Sequence, residues 1–237
     1  MGYEEDISEK VYRASENDRD GYIQDPEEQE RIIALYQRYS DQSWYASYRL
    51  GILNEDGAYL PKDPEKAYRC YRQACALLEE EKGRSLRREQ MLLNAAVGRC
   101  YLQGRGTEKD LERAKRHLRK AEEDPLALFL LSDLLQQDRP EEAEICRRKA
   151  IEKNYVWYYG WREELCLFLH IGRSCLYEET EEYREKGIRA LLNAEGLLQD
   201  IAGKALDESY REEYRDLQKD LLNAEDLYPE IWKRIKG

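Results

Sequence analysis

Six cysteines, two histidines, one glycine-rich turn and several runs of acid or base are the side chains in this sequence with reactive or ligand-binding potential. The cysteines, Cys70, Cys75, Cys100, Cys146, Cys166 and Cys175, include no C-x-x-C pair, the spacing that a zinc or dithiol centre uses. Cys70 and Cys146 each stand four residues before an alanine, Ala74 and Ala150, that closes an apolar helical pattern, so packing as small buried hydrophobes is their expected role. His117 occupies the same place before Ala121, and His170 precedes Gly172 on an apolar stretch without an H-E-x-x-H spacing. Neither is expected to bind metal or move a proton. Gly104-Arg105-Gly106 lacks the third glycine of a dinucleotide-binding turn, and neither a phosphate loop ending in Gly-Lys-Ser/Thr nor a G-x-S-x-G elbow occurs. No cofactor, no metal and no catalysis are expected.

The basic clusters 84–88, 115–120 and 147–149 could line up for an anionic ligand. The last two lie toward helix C-termini, where the helix dipole favours cations, and acids alternate nearby, so solvated helix faces explain them. Acid runs such as Glu178 to Glu182 suit a helix N-terminus in the same way. With a net charge of −11, a general nucleic-acid or anionic-membrane surface is disfavoured and a basic protein or peptide is the easier partner. The first ten residues lack the basic and apolar segments of a signal peptide, no run approaches a membrane span, and Asp6 stands where myristoylation favours Ser or Thr. A cytoplasmic protein is expected.

The elements that carry these residues are helical throughout. Apolar residues recur at three and four positions, as in Ile32, Leu35, Tyr36 and Tyr39, and proline marks helix starts at Pro26, Pro64, Pro125, Pro140 and Pro229, three of them preceded by a capping Asp. Helices are expected at 7–17, 26–41, 43–55, 64–81, 86–103, 108–122, 125–137, 140–153, 157–177, 181–201, 206–227 and 229–235. An internal repeat orders them: Gly51, Gly57, Asp63, Ala67 and Ala74 recur at a constant offset of 47 as Gly98, Gly104, Asp110, Ala114 and Ala121. Tyr (19) outnumbers Phe (2), so core-facing rings carry hydroxyls that must reach a polar partner.

The pattern A-x3-L-G-x2-Y-x2-G-x-G-x3-D-x3-A-x6-A resembles the Sel-one-like repeat, a relative of the tetratricopeptide repeat. Ala46, Leu50, Gly51, Gly57, Asp63, Ala67 and Ala74 match it in one unit, with Asn54 in place of Tyr and Tyr59 in place of the second Gly. Gly98, Tyr101, Gly104, Gly106, Asp110, Ala114 and Ala121 match it in the next, with Leu93 and Val97 replacing the first Ala and Leu. The resemblance implies an all-α, right-handed α-solenoid of stacked antiparallel helix hairpins with a C-terminal capping helix. Residues 1–42 would form a degenerate first repeat, 43–204 the main repeats and 205–237 the cap, in one continuous domain. Some secreted relatives pair two cysteines in every repeat; here Cys75 sits at one of those places and Ser47 at the other, which favours reduced thiols.

The resemblance also implies a function, protein or peptide binding on a concave face lined by first helices. In this register the lining is Tyr45, Tyr48, Ile52 and Glu55, then Arg99, Leu102 and Gln103, then Phe129, Asp133 and Gln136, then Arg173, Leu176 and Tyr177. Tyr48, Phe129 and Tyr177 would anchor the ligand, and Arg99 and Arg173 would pair with its charges. The alternative is a structural, self-associating protein in which the aromatic cluster Trp157, Tyr158, Tyr159 and Trp161 and the C-terminal helices bury against another copy. The discriminating feature is whether the groove is open or filled by residues 206–237.

Overall fold

The computed structural model describes residues 7–15, 25–57, 59–81, 86–153, 161–202 and 208–237, and among them every regular element is a helix. The expected turn at Asp20-Gly21-Tyr22, Gly83 and the basic Arg84, the aromatic Trp157, Tyr158 and Tyr159, Leu206, and the N-terminal Gly2 and Asp6 lie outside the described residues. The chain divides into two compact units, residues 1–160 and 161–237.

The first unit holds α1 (Ile7–Ala14), α2 (Pro26–Tyr39), α3 (Trp44–Asp56), α4 (Pro64–Glu80), α5 (Arg87–Gln103), α6 (Leu111–Lys120), α7 (Pro125–Leu135) and α8 (Pro140–Glu152). Helices α3 and α4, α5 and α6, and α7 and α8 pair as hairpins, and each hairpin stacks on the next through α4 on α5 and α6 on α7. Helices α1 and α2 pack on α3. Val11, Ile32, Tyr36, Tyr45, Leu50 and Leu53 form the core there, while, counting the α1–α2 pair as the first, Tyr48, Tyr71, Leu78, Leu93, Val97 and Cys100 are buried between the second (α3–α4) and third (α5–α6) hairpins.

The repeat is legible atom by atom. The Asp63 N–H donates to the Asn54 carbonyl at 2.8 Å, and 47 residues on the Asp110 N–H donates to the Tyr101 carbonyl at 3.0 Å. The Asp63 carboxylate accepts from the Lys66 N–H and the Asp110 carboxylate from the Arg113 N–H, both at 2.9 Å, capping α4 and α6 alike. Asp25 and Asp124 cap α2 and α7 in the same manner. Because Asp110 is the cap, α6 starts at Leu111 and not at Glu108, and Glu108 and Lys109 belong to the turn. Close helix crossing explains the repeated glycine: a Cβ on Gly51 would fall 2.4 Å from the Tyr71 ring, and one on Gly98 would fall 2.9 Å from Leu118 Cδ2.

The second glycine of the turn does more than bend the chain. Gly106 has φ +69°, and a Cβ there would lie 2.0 Å from the Pro64 carbonyl oxygen, so the turn of the third hairpin rests directly on the main chain of the second. At the matching position of the second hairpin stands Tyr59, half-buried against the α1–α3 core. A side chain fills there what a backbone contact fills one repeat later.

The second unit holds α9 (Trp161–Cys175), α10 (Glu181–Ala202), α11 (Glu208–Leu227) and α12 (Pro229–Lys236). Helices α9 and α10 form a hairpin that closes on two glycines, Gly172 meeting Leu191 and Gly187 meeting the backbone of Leu176. Helix α11 packs on α10, and α12 packs on both α10 and α11. Arg234 of α12 pairs with Glu181 and Glu185 of α10, and the Arg184 guanidinium lies 5.0 Å from the Tyr228 ring centre.

Candidate functional site

The residues read as lining a binding face separate into two groups by burial. Tyr45 (5% exposed), Tyr48 (2%), Ile52 (3%), Arg99 (7%) and Phe129 (2%) are in the interior, where no ligand touches them as the chain stands. Sequence periodicity places them on first helices but does not tell which side of a first helix the neighbouring hairpin covers. Gln103, Asp133 and Gln136 are exposed. With the half-buried Leu102 they are the part of that set in the first unit that solvent reaches.

Arg99 is occupied inside the stack. Its Nη2 lies 3.6 Å from Glu55 Oε2, both side chains being 8% exposed. The Tyr71 hydroxyl donates to the same carboxylate oxygen at 2.6 Å, and Arg105 Nη1 approaches the other at 3.5 Å. Four side chains from α3, α4, α5 and the following turn therefore solvate one another in place of water, which is what a charge so deeply placed requires. The Tyr71 hydroxyl answers the question raised by a tyrosine-rich core: a fully buried ring finds its partner in Glu55.

In the second unit Arg173 and Tyr177 are exposed and already engaged by the C-terminal segment. Arg173 Nε donates to Asp220 Oδ2 at 2.8 Å, and the Tyr177 hydroxyl accepts from Asn223 Nδ2 at 3.3 Å. Helix α11 thus reaches this end of α9 through two side chains, while Arg173 and Tyr177 stay exposed. Leu176 beside them is buried (2%).

A second constellation, of which the sequence singled out for chemistry only His117 and the basic run 115–120, explained there as a solvated helix face, sits on α4, α5 and α6. The Tyr68 and Tyr101 hydroxyls are 2.7 Å apart, the Tyr101 ring stacks on His117 with centroids 5.7 Å apart, and Arg113 lies 5.6 Å over Tyr101. His117 Nδ1 is 2.9 Å from Asn94 Oδ1. Burial, reinforced by the charges of Lys120, Arg72 and Arg116, pushes the His117 pKa down to about 4, so the ring is neutral at pH 7. Burial alone would raise the Tyr101 phenol; the Tyr68 hydroxyl, Arg113 and Arg72 outweigh it and the net shift is downward. The signal available in the sequence was the Tyr101 of the repeat motif together with bases at 113, 116 and 120, one helical face.

The six thiols are all free, and burial raises Cys70, Cys75 and Cys146, Cys75 to about 11, leaving them protonated and poorly nucleophilic at neutral pH. Ser47, at the place of a half-cystine in the paired relatives, donates its hydroxyl to the Cys70 carbonyl at 2.9 Å, and Ser132 does the same to Ala143 at 2.8 Å. Among the described residues no three His, Cys, Asp or Glu side chains converge on a metal position, and no helix is long and apolar enough to cross a membrane. The depression beside the α3–α4 turn, lined by Asn54, Leu60, Asp63 and Glu65, is open to solvent and gathers no nucleophile with a base.

A family model described as the Sel1 repeat matches residues 44–77 and 94–124, the second and third hairpins. No curated protein matches the chain. Among solved structures, a Sel1 repeat protein from Oxalobacter formigenes is similar over 93% of this chain and 85% of its own, at 15% identity and a TM-score of 0.50, a likeness of fold. A protective antigen of uropathogenic Escherichia coli strains displaying an SLR fold is similar over 73% of this chain at 14% identity and a TM-score of 0.42. The chain spans 44% of that antigen's length.

Proposed function

We propose that this chain, an all-α protein carrying two Sel1 repeats, is an adaptor that holds a segment of another protein against the first helices of its stack. Sel1 repeats are helical scaffolds that generally mediate protein–protein interaction. The observation that carries the reading is the fidelity of the two hairpins 44–77 and 94–124, which share cap, closing hydrogen bond and helix-crossing glycine and so form a rigid platform. Ligand contact falls to Gln103, Asp133 and Gln136, which are exposed, while Tyr45, Tyr48, Ile52, Arg99 and Phe129 are buried in the stack. Arg173 and Tyr177 are exposed and take part by exchanging their hydrogen bonds to Asp220 and Asn223 for the ligand. A basic protein segment suits the charge of −11 and the exposed Asp133 side chain. The chain acts without catalysis or cofactor, in the cytoplasm. Its parts are a degenerate repeat over 1–42, main repeats over 43–204 and a cap over 205–237.

A second reading, self-association without a peptide ligand, is favoured by the exposed apolar side chains of the second unit, Tyr177 (65%), Leu222 (62%) and Leu227 (48%). Affinity capture from host lysate with cross-linking mass spectrometry separates the two, using the intact chain and a Gln103→Arg/Asp133→Arg variant. A partner cross-linked to α5 or α7 and lost in the variant supports the adaptor reading. Cross-links only between copies, through α9 or α11, would replace it with self-association.

A further inference from the structure

The face formed by the second helices α4 and α6 carries an arrangement that the adaptor reading does not use. Tyr68, Tyr101 and His117 make a floor of rings, with the phenols 2.7 Å apart and Tyr101 only 4% exposed. Arg72 from α4 and Arg116 and Lys120 from α6 stand around it, all three exposed, and none forms an ion pair with a described carboxylate. Arg113 completes the ring, shared with Asp110 at 3.1 Å.

The neighbouring groove shows how this chain ordinarily treats such charges. Arg119 of α6 reaches Glu142 of α8 at 3.1 Å and Lys115 reaches Asp138, in the turn before α8, at 4.0 Å, so base meets acid across the hairpin junction. Between α4 and α6 Arg72 faces Arg116 and Lys120 instead, and Glu79, near Arg72 and Lys120 around Cys75, forms no ion pair with them. The helix dipole accounts for Lys120 in the last turn of α6 but not for Arg113 in its first turn, where a cation is disfavoured, nor for Arg72 in the middle of α4. Four cations, only one of them ion-paired with a described acid, stand beside two phenols that bond each other, Tyr68 bonding Thr107 as well and Tyr101 bonding Arg113. An anion would complete such a surface.

The spacing selects the anion. Arg113, Arg116 and Lys120 lie on one side of α6 and span seven residues, about 10 Å at the helical rise, which is too long for a single carboxylate or phosphate. Acidic side chains two apart on an extended chain point the same way about 7 Å from each other, so two or three of them match the row. We propose that the α4–α6 groove docks an extended, acidic segment of a partner protein, with Arg72, Arg113, Arg116 and Lys120 pairing its carboxylates over the Tyr68–Tyr101–His117 floor. This surface is separate from the first-helix face, so the two proposals stand or fall independently.

The test is fluorescence anisotropy with the intact chain at low salt and fluorescein-labelled octaglutamate, octalysine and single-stranded octathymidylate as probes. Octaglutamate is expected to bind saturably, and octalysine is not expected to compete with it. Replacing Arg72→Glu with Lys120→Glu is expected to weaken octaglutamate binding about tenfold or more, from up to about fivefold for each exposed pair removed. The same charge change placed on the second unit, Lys219→Glu with Lys233→Glu, leaves affinity within about twofold because those sites lie outside the groove. The neutral pair Arg72→Gln with Lys120→Gln covers the case in which charge reversal disturbs folding. A second readout is the His117 ring followed by NMR titration, whose midpoint rises when octaglutamate lies across the cations that hold it down. Equal loss in both charge-reversed variants, an unmoved His117 at saturating octaglutamate, or tighter binding of octathymidylate than octaglutamate would overturn the proposal.

Discussion

Replacing Arg99 by methionine separates packing from recognition. The Arg99–Glu55 contact, 3.6 Å between side chains each 8% exposed, corresponds to a gross attraction of about 4 to 5 kcal/mol at the effective dielectric of a protein interior, much of it offset by desolvation. Removing one partner of a buried pair costs about 3–5 kcal/mol when the other is stranded. Glu55 is not stranded, because Tyr71 at 2.6 Å and Arg105 at 3.5 Å remain, and about 2 kcal/mol is the expected loss. For a chain of this length that lowers Tm by roughly 4–8 °C. Urea denaturation followed by far-UV circular dichroism gives the single-variant losses, and Glu55→Gln with the double variant closes the cycle with a coupling of about 1 kcal/mol or more. Stability unchanged in Arg99→Met, or additive effects in the cycle, would mean that Arg99 is not held by Glu55 and would return it to the pool of ligand-facing cations.

Three further perturbations read other parts of the structure. His117 is depressed from 6.5 to about 4 in the folded chain, so the unfolded chain binds the extra proton between those values and stability is lost as pH falls from 6.5 toward 4. At face value that displacement is about 3.4 kcal/mol; the ring is only about half buried, and screening reduces the expected loss to about 1–2 kcal/mol. His117→Gln should flatten this part of the pH–stability curve measured by urea melts at pH 7 and pH 4.5, and an unchanged difference would contradict the assignment. Gly106→Ala is expected to cost about 2–4 kcal/mol in the same melts, against about 1 kcal/mol for Gly104→Ala, because both have positive φ but only Gly106 would drive a Cβ into Pro64; equal losses would refute the junction. Asp110→Ala removes the α6 cap and should cost about 1 kcal/mol, with Asp110→Asn or Asp110→Ser largely restoring it.

The hairpins were legible because their signals are local. Asp63 and Asp110 announce caps, the glycines announce turns and crossings, and a constant offset ties one hairpin to the next. The side chains that face the neighbouring hairpin were not, because a first helix in a stack is enclosed on more than one side and an apolar period cannot say which enclosure is solvent. Tyr48, Ile52 and Phe129 went into the core for that reason, and Arg99 followed through its partner Glu55, which lies 44 positions away in sequence. The hold of α11 on Arg173 and Tyr177 is likewise a contact between residues 47 and 46 apart, invisible to any window of helical length. Family likeness supplied the first-helix rule, and burial divided its residues into supports and open positions.

At one point of the junction between the second and third hairpins, main chain on one side meets a residue without a side chain on the other. Such a joint distributes substitution unevenly. Glu65 is exposed and presents only backbone to Gly106, so variation there leaves the fit intact, whereas position 106 admits almost nothing but glycine. A randomised library of this turn would recover diverse residues at 65 and 105 and a single one at 106. Grafting the third hairpin behind a foreign helical repeat would therefore ask that the host offer, besides an apolar face and a partner for Arg99, a bare stretch of backbone at the start of its second helix.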